Sequence, residues 1–450
     1  MSLVKNQEIE LQIESFSSEG SGVGHYDKMA VFVNGAAAGD RALVHIIKVK
    51  KTYAIGKAVK ILKPSKDRIA PDCEAFASCG GCAFRHIKYE AELEMKRQKV
   101  ENAFLRLGGI DKKVDEMIGA DELVGYRNKA EYPVGFDGRL KIGFYAARTH
   151  RIVDCPQCVL QPEVFSDIVR TVRKWIVEYG ISVYDPETEN GIIRHIYIRQ
   201  GAVTKEIMVC LVINADFLPK KEKLLERLLV IGDIKSVVIN INKEKTNVIL
   251  GKECKTLWGD DYICDVLCGV KIRLSPLSFY QVNHAQAQRL YGRAKEYADL
   301  TGSETLLDMY CGAGTIGLSM ADSCKRVIGV EIIEQAVGDA RINAEINGIE
   351  NAEFYCADAA EAAQMLKEKG IRPEVIVLDP PRKGCDASLV ETVCKMQPDR
   401  VVYVSCDPAT LARDCKLFNE LGYKVEKLTA VDLFPRTVHV ETVCLLSKAK

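Results

Sequence analysis

Cys406 lies where a predicted strand gives way to a predicted helix, a position that suits a nucleophile. Residues 401–404 are β-favouring and run into a small polar turn, after which Leu411 and Leu417 stand at helical spacing. Unpaired N–H groups at the start of a helix favour negative charge, so we expect the Cys406 thiol to ionise readily. The alternative is a thiol buried in an apolar core, which is common for a lone cysteine. The residues that accompany Cys406 decide between the two interpretations.

A glycine-rich turn and three carboxylates are predicted to share one edge of a sheet. The turn, a G-x-G-x-x-G motif at residues 312–317, follows a buried strand and matches a dinucleotide fingerprint, whose glycines let a ligand approach the backbone. The next three strands each lead to an acidic residue: Glu331, Asp358 and Asp379. Because parallel strands present their carboxyl ends at one edge, we expect a ligand site there, with Glu331 holding a ribose hydroxyl pair. Cys406 follows the fifth strand and falls at the same edge.

Five cysteines earlier in the chain have the spacing of a metal site: Cys73, Cys79, Cys82, Cys155 and Cys158. A C-x2-C pair can bind one metal centre from a single tight turn, and Gly80 and Gly81 let the backbone fold closely around it. An iron–sulfur cluster and a zinc ion both fit this spacing. Burial of all five thiols in a core is the third interpretation.

Length and composition indicate a globular protein of two or three domains. The chain has 450 residues, of which 47% are hydrophobic and 28% charged. Lys+Arg and Asp+Glu both number 62, so there is no global basic field, and any nucleic-acid contact needs local patches. The sequence shows no apolar leader and no membrane-spanning stretch, which predicts a cytoplasmic protein without a membrane partner. We also expect a monomer. In a reducing compartment the 17 cysteines favour metal binding or catalysis over disulfides.

The predicted fold class is α/β, in three parts. Residues 1–62 read as short strands punctuated by glycines, which predicts an OB-like β-barrel. Residues 63–260 predict an α+β domain with an amphipathic helix at about 89–107, which we expect to pack on the C-terminal part. Residues 261–450 alternate strands and helices, the pattern of a Rossmann-like doubly wound sheet. A last strand pair, 423–429 and 439–446, is expected to form an antiparallel edge.

A basic run closes the barrel segment. It consists of Lys48, Lys50, Lys51, Lys57, Lys60, Lys63, Lys66 and Arg68. An RNA-binding patch and a solvated face are equally good interpretations of this run.

Five motifs together resemble one family closely, over essentially the whole chain. They are Phe279-Tyr280-Gln281-Val282-Asn283, Asp308-Met309-Tyr310-Cys311-Gly312-x-Gly314-Thr315, Asp379-Pro380-Pro381-Arg382, Ser405-Cys406-Asp407-Pro408-x-Thr410-Leu411-Ala412-Arg413-Asp414 and His439-Val440-Glu441. The chain resembles the class I, S-adenosylmethionine-dependent RNA uracil-5-carbon methyltransferase family, specifically the 23S ribosomal RNA 5-methyluridine methyltransferases with a TRAM domain and an iron–sulfur cluster. The barrel resembles the TRAM domain, which binds RNA. A dehydrogenase would share the glycines and Glu331, but it has no use for the acidic-Pro-Pro motif or for Cys406.

The resemblance implies roles for individual residues. S-adenosylmethionine is expected to be bound by Gln281, Tyr310, Glu331 and Asp379, with Asp358 a further candidate. A 4Fe–4S cluster is expected on Cys73, Cys79, Cys82 and Cys158, so that Cys155 is not a ligand. The sequence departs from the family at Asp407, where such enzymes usually have Asn, and the extra charge is expected to raise the pKa of the Cys406 thiol slightly.

The resemblance also implies a covalent mechanism. Carbon 5 of uracil is too poor a nucleophile to take a methyl group directly, so the Cys406 thiolate adds to carbon 6 and enriches carbon 5 in electrons. Glu441 then removes the carbon 5 proton, since its strand can return to the site beside the fifth strand. His439 is expected to be structural, and Arg382 to contact phosphate or form a surface ion pair. The target uridine, expected in 23S ribosomal RNA, must leave any stack to reach the thiol.

Two alternatives stay open on the sequence. A transfer-RNA uracil-5-methyltransferase would share the chemistry, but the transfer-RNA members that the chain resembles typically lack both the barrel and the cluster. A non-catalytic RNA-binding protein with an iron–sulfur or zinc centre would have no need of Cys406, Glu441 and Gln281.

Overall fold

The computed structural model describes residues 3–449, which divide into two compact units. The first unit comprises residues 3–99, Tyr145–Thr149 and Phe434–His439. The second comprises Val100–Phe144, His150–Leu433 and residues 440–449. The predicted division into three domains, with boundaries at 62 and 260, stays a prediction.

No helix within residues 3–449 combines the length and the apolar character that a membrane crossing requires.

The N-terminal strands of the first unit form a six-stranded sheet in the order β1-β5-β6-β4-β3-β2. The strands are β1 (Glu8–Gln12), β2 (Ser15–Phe16), β3 (Gly22–Tyr26), β4 (Met29–Asn34), β5 (Arg41–Val49) and β6 (Tyr53–Lys63). Alternate side chains such as Leu11, Val33 and Val44 point into one apolar core, as the two-residue period of a strand dictates. The Glu14 N–H donates to the Val23 carbonyl at 2.8 Å and ties the end of the first strand to the third. The predicted barrel is confirmed.

A helical segment leads into the second unit. Helix α1 (Tyr89–Ala103) continues as a π-helical turn at Phe104–Gly108, and Val100 and Phe104 are fully buried in the core of the C-terminal sheet. Gly108 lies directly against that core, because a Cβ placed there would be 3.0 Å from the Ala412 carbonyl oxygen. The C-terminal part of the helix predicted at about 89–107 therefore packs on the C-terminal sheet.

The middle of the chain forms a seven-stranded mixed sheet in the order β10-β9-β8-β11-β12-β13-β14. After a short strand β7 (Glu116–Ile118), its strands are β8 (Lys129–Phe136), β9 (Leu140–Tyr145), β10 (Ile152–Asp154), β11 (Ile193–Gln200), β12 (Ile207–Ile213), β13 (Ile234–Ile241) and β14 (Glu253–Gly259). Helices α2 (Glu163–Tyr179) and α3 (Lys221–Leu228) cover one face. Helix α2 buries Phe165, Val172 and Trp175 against the strands, which stabilises this face by apolar burial. A hairpin of β15 (Ile263–Leu267) and β16 (Val270–Leu274) follows.

The C-terminal part is an eight-stranded sheet in the order β19-β18-β17-β20-β21-β23-β22-β7. Its further strands are β17 (Thr305–Met309), β18 (Arg326–Glu331), β19 (Ala352–Cys356), β20 (Val375–Leu378), β21 (Arg400–Ser405), β22 (Tyr423–Val431) and β23 (Glu441–Lys448). The helices are α4 (His284–Ala298), α5 (Thr315–Met320), α6 (Glu334–Ile346), α7 (Ala359–Glu368), α8 (Ala387–Met396) and α9 (Pro408–Glu420), with a 3-10 turn at Ala321–Ser323. The strands from β17 to β21 are parallel. The predicted doubly wound α/β sheet is confirmed.

The position of the last strand pair differs from the expectation. Strands β22 and β23 are antiparallel, but β22 is not the edge, because β7 pairs with it in parallel. The Asp115 N–H and carboxylate both bond the Leu428 backbone, at 2.8 and 2.7 Å, and hold β7 in register. A strand of three residues is too short to show a period, so the sequence pattern missed it.

Candidate active site

Cys406 and Glu441 lie at the same end of two paired strands. The antiparallel ladder of β21 and β23 ends at Ser405 opposite Thr442, so the next residues along the two strands are Cys406 and Glu441. The Thr442 hydroxyl donates to the Ser405 carbonyl at 3.1 Å and fixes this end of the ladder. Glu441 is 4% exposed, whereas Cys406 is partly exposed. The thiol is therefore open to a ligand, with the carboxyl buried beside it.

The expectation of a readily ionised thiol is wrong for this structure. Burial raises the pKa of Cys406 to about 11, and the Glu441 and Asp379 carboxyls act in the same direction, against Arg382 and the backbone N–H of Cys406 itself. The helix donors that were expected to stabilise the thiolate are already in use. One Asp407 carboxylate oxygen accepts from the N–H groups of Ala409 at 2.8 Å and Thr410 at 3.4 Å. Asp407 thus caps α9, a role in which Asn would serve equally well.

Two carboxyl groups near the thiol hold their protons more tightly than usual. Burial raises the pKa of Glu441 to about 8, with the like charge of Asp379 adding to it and Arg382 opposing it. Burial also raises the pKa of Asp379, at the end of β20, to about 7. A carboxylate with a raised pKa is a stronger base once ionised, which suits proton abstraction near neutral pH.

The turn after β17 has the backbone of a binding loop. Tyr310, Gly312 and Gly314 all have positive φ, at 64°, 53° and 80°. For Tyr310 this conformation is strained, and such strain concentrates at functional sites. Apart from its two chain neighbours, no described residue lies within 4 Å of a Cβ built on Gly312, so a ligand can approach the backbone there. At Gly314, by contrast, a Cβ would crowd Leu318 and Phe354 at 3.1 Å.

Glu331 is fixed beside this loop. One of its carboxylate oxygens accepts from the N–H groups of Ile332 at 2.9 Å and Ile333 at 3.0 Å, and the other accepts from the Gly312 N–H at 3.2 Å. These bonds hold the carboxylate at the end of β18, next to the glycine turn. The predicted binding of a ribose hydroxyl pair by Glu331 stays a prediction.

Two buried residues that the sequence analysis gave no role extend the site. Tyr291 of α4 lies near the side chains of Gln281 and Thr315, and burial followed by the nearby Asp379 raises its pKa, so it remains protonated. Asp308 of β17 accepts from the Gly317 N–H at 2.8 Å, and burial raises its pKa to about 7. Its other oxygen has no hydrogen-bond partner among the described residues. Tyr291 stands at a helical core position, and only tertiary packing reveals what it touches.

The segment that carries Gln281 is anchored to the mixed sheet. Arg199 of β11 is 2% exposed and donates to the carbonyls of Ser275 at 2.9 Å and Ser278 at 2.7 Å. The Asn128 amide donates to the Gln281 carbonyl at 2.9 Å. The Tyr280 hydroxyl, one residue before Gln281, donates to Asp265 at 3.0 Å. Residues from the mixed sheet and its hairpin therefore position a predicted cofactor ligand.

Asp358 has a local role. It caps α7, and one of its carboxylate oxygens accepts from the N–H groups of Ala360 at 2.8 Å and Glu361 at 2.9 Å. The Glu361 side chain accepts in return from the Asp358 N–H, which completes a capping box. The predicted contact of Asp358 with a cofactor stays a prediction.

His439 lies in the first unit, and its ring contacts Phe434 with centroids 5.9 Å apart.

The five cysteines of the predicted metal site are divided between the units. Cys73, Cys79 and Cys82 lie in the first unit, on the loop between β6 and α1, and Cys155 and Cys158 lie in the second. Gly80 packs closely against the Ala147 backbone within the first unit, since a Cβ at residue 80 would be 2.8 Å from that backbone. Within residues 3–449, no group of three or more Cys, His, Asp or Glu side chains is arranged to hold a metal ion. The 4Fe–4S cluster is not confirmed.

Hydrogen-bond donors lie near several of these thiols. The Gly81 N–H donates to Cys79 Sγ at 3.4 Å, and the Arg85 side chain hydrogen-bonds Cys82. In the second unit the Tyr132 hydroxyl is buried, has no partner among the described residues, and lies near Cys158 and Cys155, which add to burial in raising its pKa. Such donors stabilise metal-bound thiolates when a centre is present.

The basic run of the barrel is largely exposed. Its exposed members are Lys48, Lys50, Lys51, Lys57, Lys60, Lys63 and Lys66, and none forms an ion pair with another described residue. The inclusion of Arg68 in this run was wrong, because its guanidinium pairs with the buried Asp40 at 2.6 Å. The ladder of β5 and β6 sets Lys57 opposite His45 and Lys60 opposite Leu43.

Comparisons with known proteins bear on both halves of the chain. The model of the tRNA (Uracil-5-)-methyltransferase family matches residues 245–449, and that of the TRAM domain matches residues 4–59. Uncharacterized RNA methyltransferases of Clostridium tetani and Halalkalibacterium halodurans are each 44% identical over 445 residues, covering 98% of this chain and 97% of theirs. The solved Pyrococcus abyssi tRNA (uracil-54, C5)-methyltransferase, in complex with S-adenosyl-L-homocysteine, is 29% identical and has a TM-score of 0.79. That match covers 97% of this chain and 100% of the other.

Proposed function

Because the chain belongs to the S-adenosylmethionine-dependent RNA uracil-5 methyltransferase family, we propose that it methylates carbon 5 of a specific uridine in 23S ribosomal RNA, giving 5-methyluridine. The observation that carries the covalent mechanism is the placement of the Cys406 thiol, the Glu441 carboxyl, Asp379 and Arg382 at one edge of the sheet. The glycine turn and Glu331 lie at the same edge. A nucleophile and a base thus stand beside a nucleoside-binding loop.

The side chains act in a fixed order. The Cys406 thiol loses its proton to solvent, which Arg382 favours, and the thiolate sulfur forms a bond to carbon 6 of uracil while the electron pair of the double bond shifts toward carbon 5. Bound S-adenosylmethionine would supply the methyl group to carbon 5 and leave as S-adenosylhomocysteine. Glu441 takes the carbon 5 proton, the double bond between carbons 5 and 6 re-forms, and the bond to sulfur breaks to release the Cys406 thiolate. Arg382, exposed and free of ion pairs with the described residues, is also placed to contact an RNA phosphate.

The cofactor residues fit S-adenosylmethionine. Glu331 is fixed to receive the ribose hydroxyls, and the open backbone at Gly312 leaves room for the ligand. The nearness of Gln281 to Tyr291 and the strained backbone of Tyr310 support both residues, with Asp379, as ligands of the cofactor. The unpartnered oxygen of Asp308 is a further acceptor in the same loop. Asp358 stays a candidate ligand through its second oxygen.

Release of tritium from RNA labelled at carbon 5 of uridine tests the reaction. The wild-type protein is expected to release tritium in step with methyl transfer, since each methyl replaces one carbon 5 hydrogen. Cys406→Ala is expected to release none. Methyl transfer without tritium loss would place the methyl on another atom and contradict the proposal.

Transfer RNA is the second candidate substrate, and one observation favours it. The P. abyssi enzyme acts on tRNA, and its match covers 97% of this chain, which includes most of the barrel. A barrel therefore does not by itself separate the two substrates. Mapping 5-methyluridine in both RNAs from cells that lack the protein decides between them. Loss from 23S ribosomal RNA alone supports the proposal, and loss from transfer RNA alone overturns it.

For the metal centre we propose a 4Fe–4S cluster with Cys73, Cys79 and Cys82 as ligands and Cys158 as the fourth. The support is the cysteine spacing and the N–H donor at Cys79. Anaerobically purified protein is expected to contain roughly four irons per chain, as a cubane does, and to absorb visible light. Cys158→Ser should lose the iron and Cys155→Ser should keep it. Stoichiometric zinc without visible absorption would contradict the cluster.

We also place the protein in the cytoplasm as a monomer. No disulfide joins any two of the 17 cysteines, all of which lie within residues 3–449, and a reducing compartment favours this state. Cell fractionation and light scattering test the two statements.

A further inference from the structure

The loop after β20 is fastened to helix α9. This loop, residues 379–386, carries Asp379 and Arg382 and leads into α8. Asp414 of α9 is 3% exposed, and one of its carboxylate oxygens accepts from the Tyr403 hydroxyl at 2.6 Å and from the Cys385 N–H at 2.8 Å. Because Tyr403 belongs to β21, a single carboxylate connects the loop, the helix and the strand that precedes Cys406.

Arg413 completes this attachment. Its Nε donates to the second carboxylate oxygen of Asp414 at 2.8 Å. Its Nη2 donates to the carbonyls of Lys383 at 2.9 Å and Cys385 at 3.2 Å. The Arg413 side chain is 55% exposed, so it hydrogen-bonds the loop from the solvent side, while the buried Asp414 hydrogen-bonds it from the protein interior. Together they bond both polar groups of the Cys385 backbone.

Gly384 shows how closely the loop lies on these two residues. It has a φ of 74°, and a Cβ built on it would be 2.6 Å from an Asp414 oxygen and 2.7 Å from Arg413 Nη2. The loop backbone therefore rests directly on the Arg413–Asp414 pair, and only glycine fits between them.

We propose that Asp414 and Arg413 are positioning residues that hold Arg382 beside the Cys406 thiol. Cys406 immediately precedes Asp407, the N-cap of α9, and Asp414 lies further along the same helix. Helix α9 therefore links the thiol to the residues that bond the loop. Arg382 immediately precedes Lys383–Cys385, which are bonded to the pair, on a loop without other secondary structure. The consequence for catalysis rests on the proposed function; the effect on the thiol does not.

The attachment of the loop determines the position of Arg382 more than the position of Asp379. Asp379 directly follows β20, whose backbone pairs with β17 on one side and β21 on the other. Arg382 is exposed, and no ion pair with another described residue holds its side chain. Releasing the loop therefore moves the cation and leaves the carboxyl groups that face the thiol, Asp379 and Glu441, in place.

The test is the pH dependence of Cys406 alkylation by iodoacetamide, read by mass spectrometry of the Cys406 peptide. Arg382 opposes the carboxyls that raise the pKa of this thiol. Arg382→Ala, Arg413→Gln and Asp414→Ala are each expected to raise that pKa by roughly 0.5, about a threefold loss of thiolate at a fixed lower pH. Asp414→Asn retains an acceptor for Tyr403 and Cys385 but loses the pairing with Arg413, so an intermediate rise is expected.

A double variant shows whether the pair acts through Arg382. In the Arg382→Ala background, Arg413→Gln is expected to cause no further rise, because the cation it positions is gone. Additive rises would overturn the proposal. Should Asp414→Ala not fold, Arg413→Gln decides the matter alone, since its exposed side chain leaves no cavity in the core.

Asp40→Ala is the matched control. Asp40 is a fully buried carboxylate of the barrel that pairs with Arg68 and accepts from the Ala37 and Ser65 N–H groups. It is expected to lower the melting temperature without changing the pKa of the Cys406 thiol. If Asp414→Ala behaves in the same way, the pair only stabilises the fold and the proposal is wrong.

These experiments distinguish a failure of the positioning role from a failure of the proposed function. If Cys406→Ala still released tritium from labelled RNA, the catalytic assignment would fail while the alkylation result stood. If Cys406→Ala is inactive and Arg413→Gln leaves the alkylation profile unchanged, the positioning role alone fails. Where both hold, Arg413→Gln lowers kcat about threefold or less at neutral pH and changes the KM for S-adenosylmethionine little, because the hydrogen bonds of Arg413 go to Asp414, Lys383 and Cys385 and not to the glycine turn.

Discussion

Glu441 lies beside Asp379, and the negative charge of Asp379 adds to burial in raising the pKa of Glu441 to about 8. One carboxyl comes from the first residue of β23 and the other from the residue after β20, so two strands that are not neighbours in the sheet converge on one thiol. Such a pair costs stability when both groups are ionised, and it gives a base whose pKa lies near neutral pH.

The first prediction concerns stability. The folded protein binds the Glu441 proton more tightly than the unfolded chain, so this contribution to stability is complete below about pH 4.5 and is lost as pH rises through about 8. Glu441→Gln removes this loss. Its stability relative to wild type should therefore increase between pH 5 and pH 9, by up to a few kcal/mol at ~1.4 kcal/mol per pKa unit.

Urea denaturation at both pH values measures this difference. Glu426→Gln, an exposed substitution on β22, is the control for removal of a carboxyl, and the pH dependence of Glu441→Gln should be compared with it. A constant difference between Glu441→Gln and wild type would mean that Glu441 is not perturbed.

The second prediction concerns the cofactor. Glu331→Gln weakens the acceptor for ribose hydroxyls and disturbs the three N–H groups that now bond the carboxylate. Hydrogen bonds to a charged group contribute about 1.5–3 kcal/mol, so binding of S-adenosylhomocysteine should weaken roughly 10- to 100-fold in calorimetric titration. Glu334→Gln, exposed in the first turn of α6, should leave the affinity unchanged. Equal losses in the two variants would contradict the role of Glu331.

The third prediction separates the two roles of Asp358. Asn caps a helix as well as Asp, so Asp358→Asn should keep the stability of the protein, whereas Asp358→Ala should lose about 0.5–2 kcal/mol. If the charge also binds cofactor, Asp358→Asn lowers the affinity for S-adenosylhomocysteine in the same titration. An unchanged affinity would leave Asp358 with the cap alone.

The fourth prediction concerns the barrel. Replacing Lys57, Lys60 and Lys63 on β6 with Gln should weaken RNA binding and flatten its salt dependence, by roughly 0.7–0.9 in the log–log slope for each phosphate that the variant no longer neutralises. Methyl transfer at saturating RNA should largely survive. A triple Gln variant at Lys221, Lys252 and Lys325, which are also exposed, is the control. The same slope in both variants would show that the basic run is only a solvated face.

The residues at the edge of the sheet could be predicted from the sequence, but the pKa values of their side chains could not. Apolar runs of four residues followed by polar ones mark buried parallel strands, and their carboxyl ends must meet at one edge, which located Glu331, Asp379 and Cys406. The pKa of Cys406, however, depends on burial and on Glu441, 35 residues further along the chain. The local argument from the helix N-terminus therefore gave the wrong direction.

Interactions between distant segments were the other limit. Strand β7, the pairing of Arg68 with Asp40, and the bonds from Arg199 to Ser275 and Ser278 each join residues that are far apart in the chain. No local period or motif signals such partners, because they exist only once the elements have packed.

The proposed mechanism stands or falls on the order in which Cys406 and Glu441 act. Glu441→Gln keeps the nucleophile and removes the base, so addition and methylation should proceed while release stalls. Incubated with RNA and a methyl-labelled donor, it should accumulate a labelled protein–RNA band that survives denaturation. The same variant carrying Cys356→Ala, an exposed cysteine, should do so equally, and the one carrying Cys406→Ala should not.

The most direct measurement is thus the yield of that labelled band on a denaturing gel for Glu441→Gln, with and without Cys406→Ala. We expect a strong band in the single variant and none in the double variant. Release of free 5-methyluridine RNA by Glu441→Gln at the wild-type rate, with no labelled band, would show that another group removes the proton. A labelled band that persists without Cys406 would contradict the central claim, because the nucleophile would then lie elsewhere.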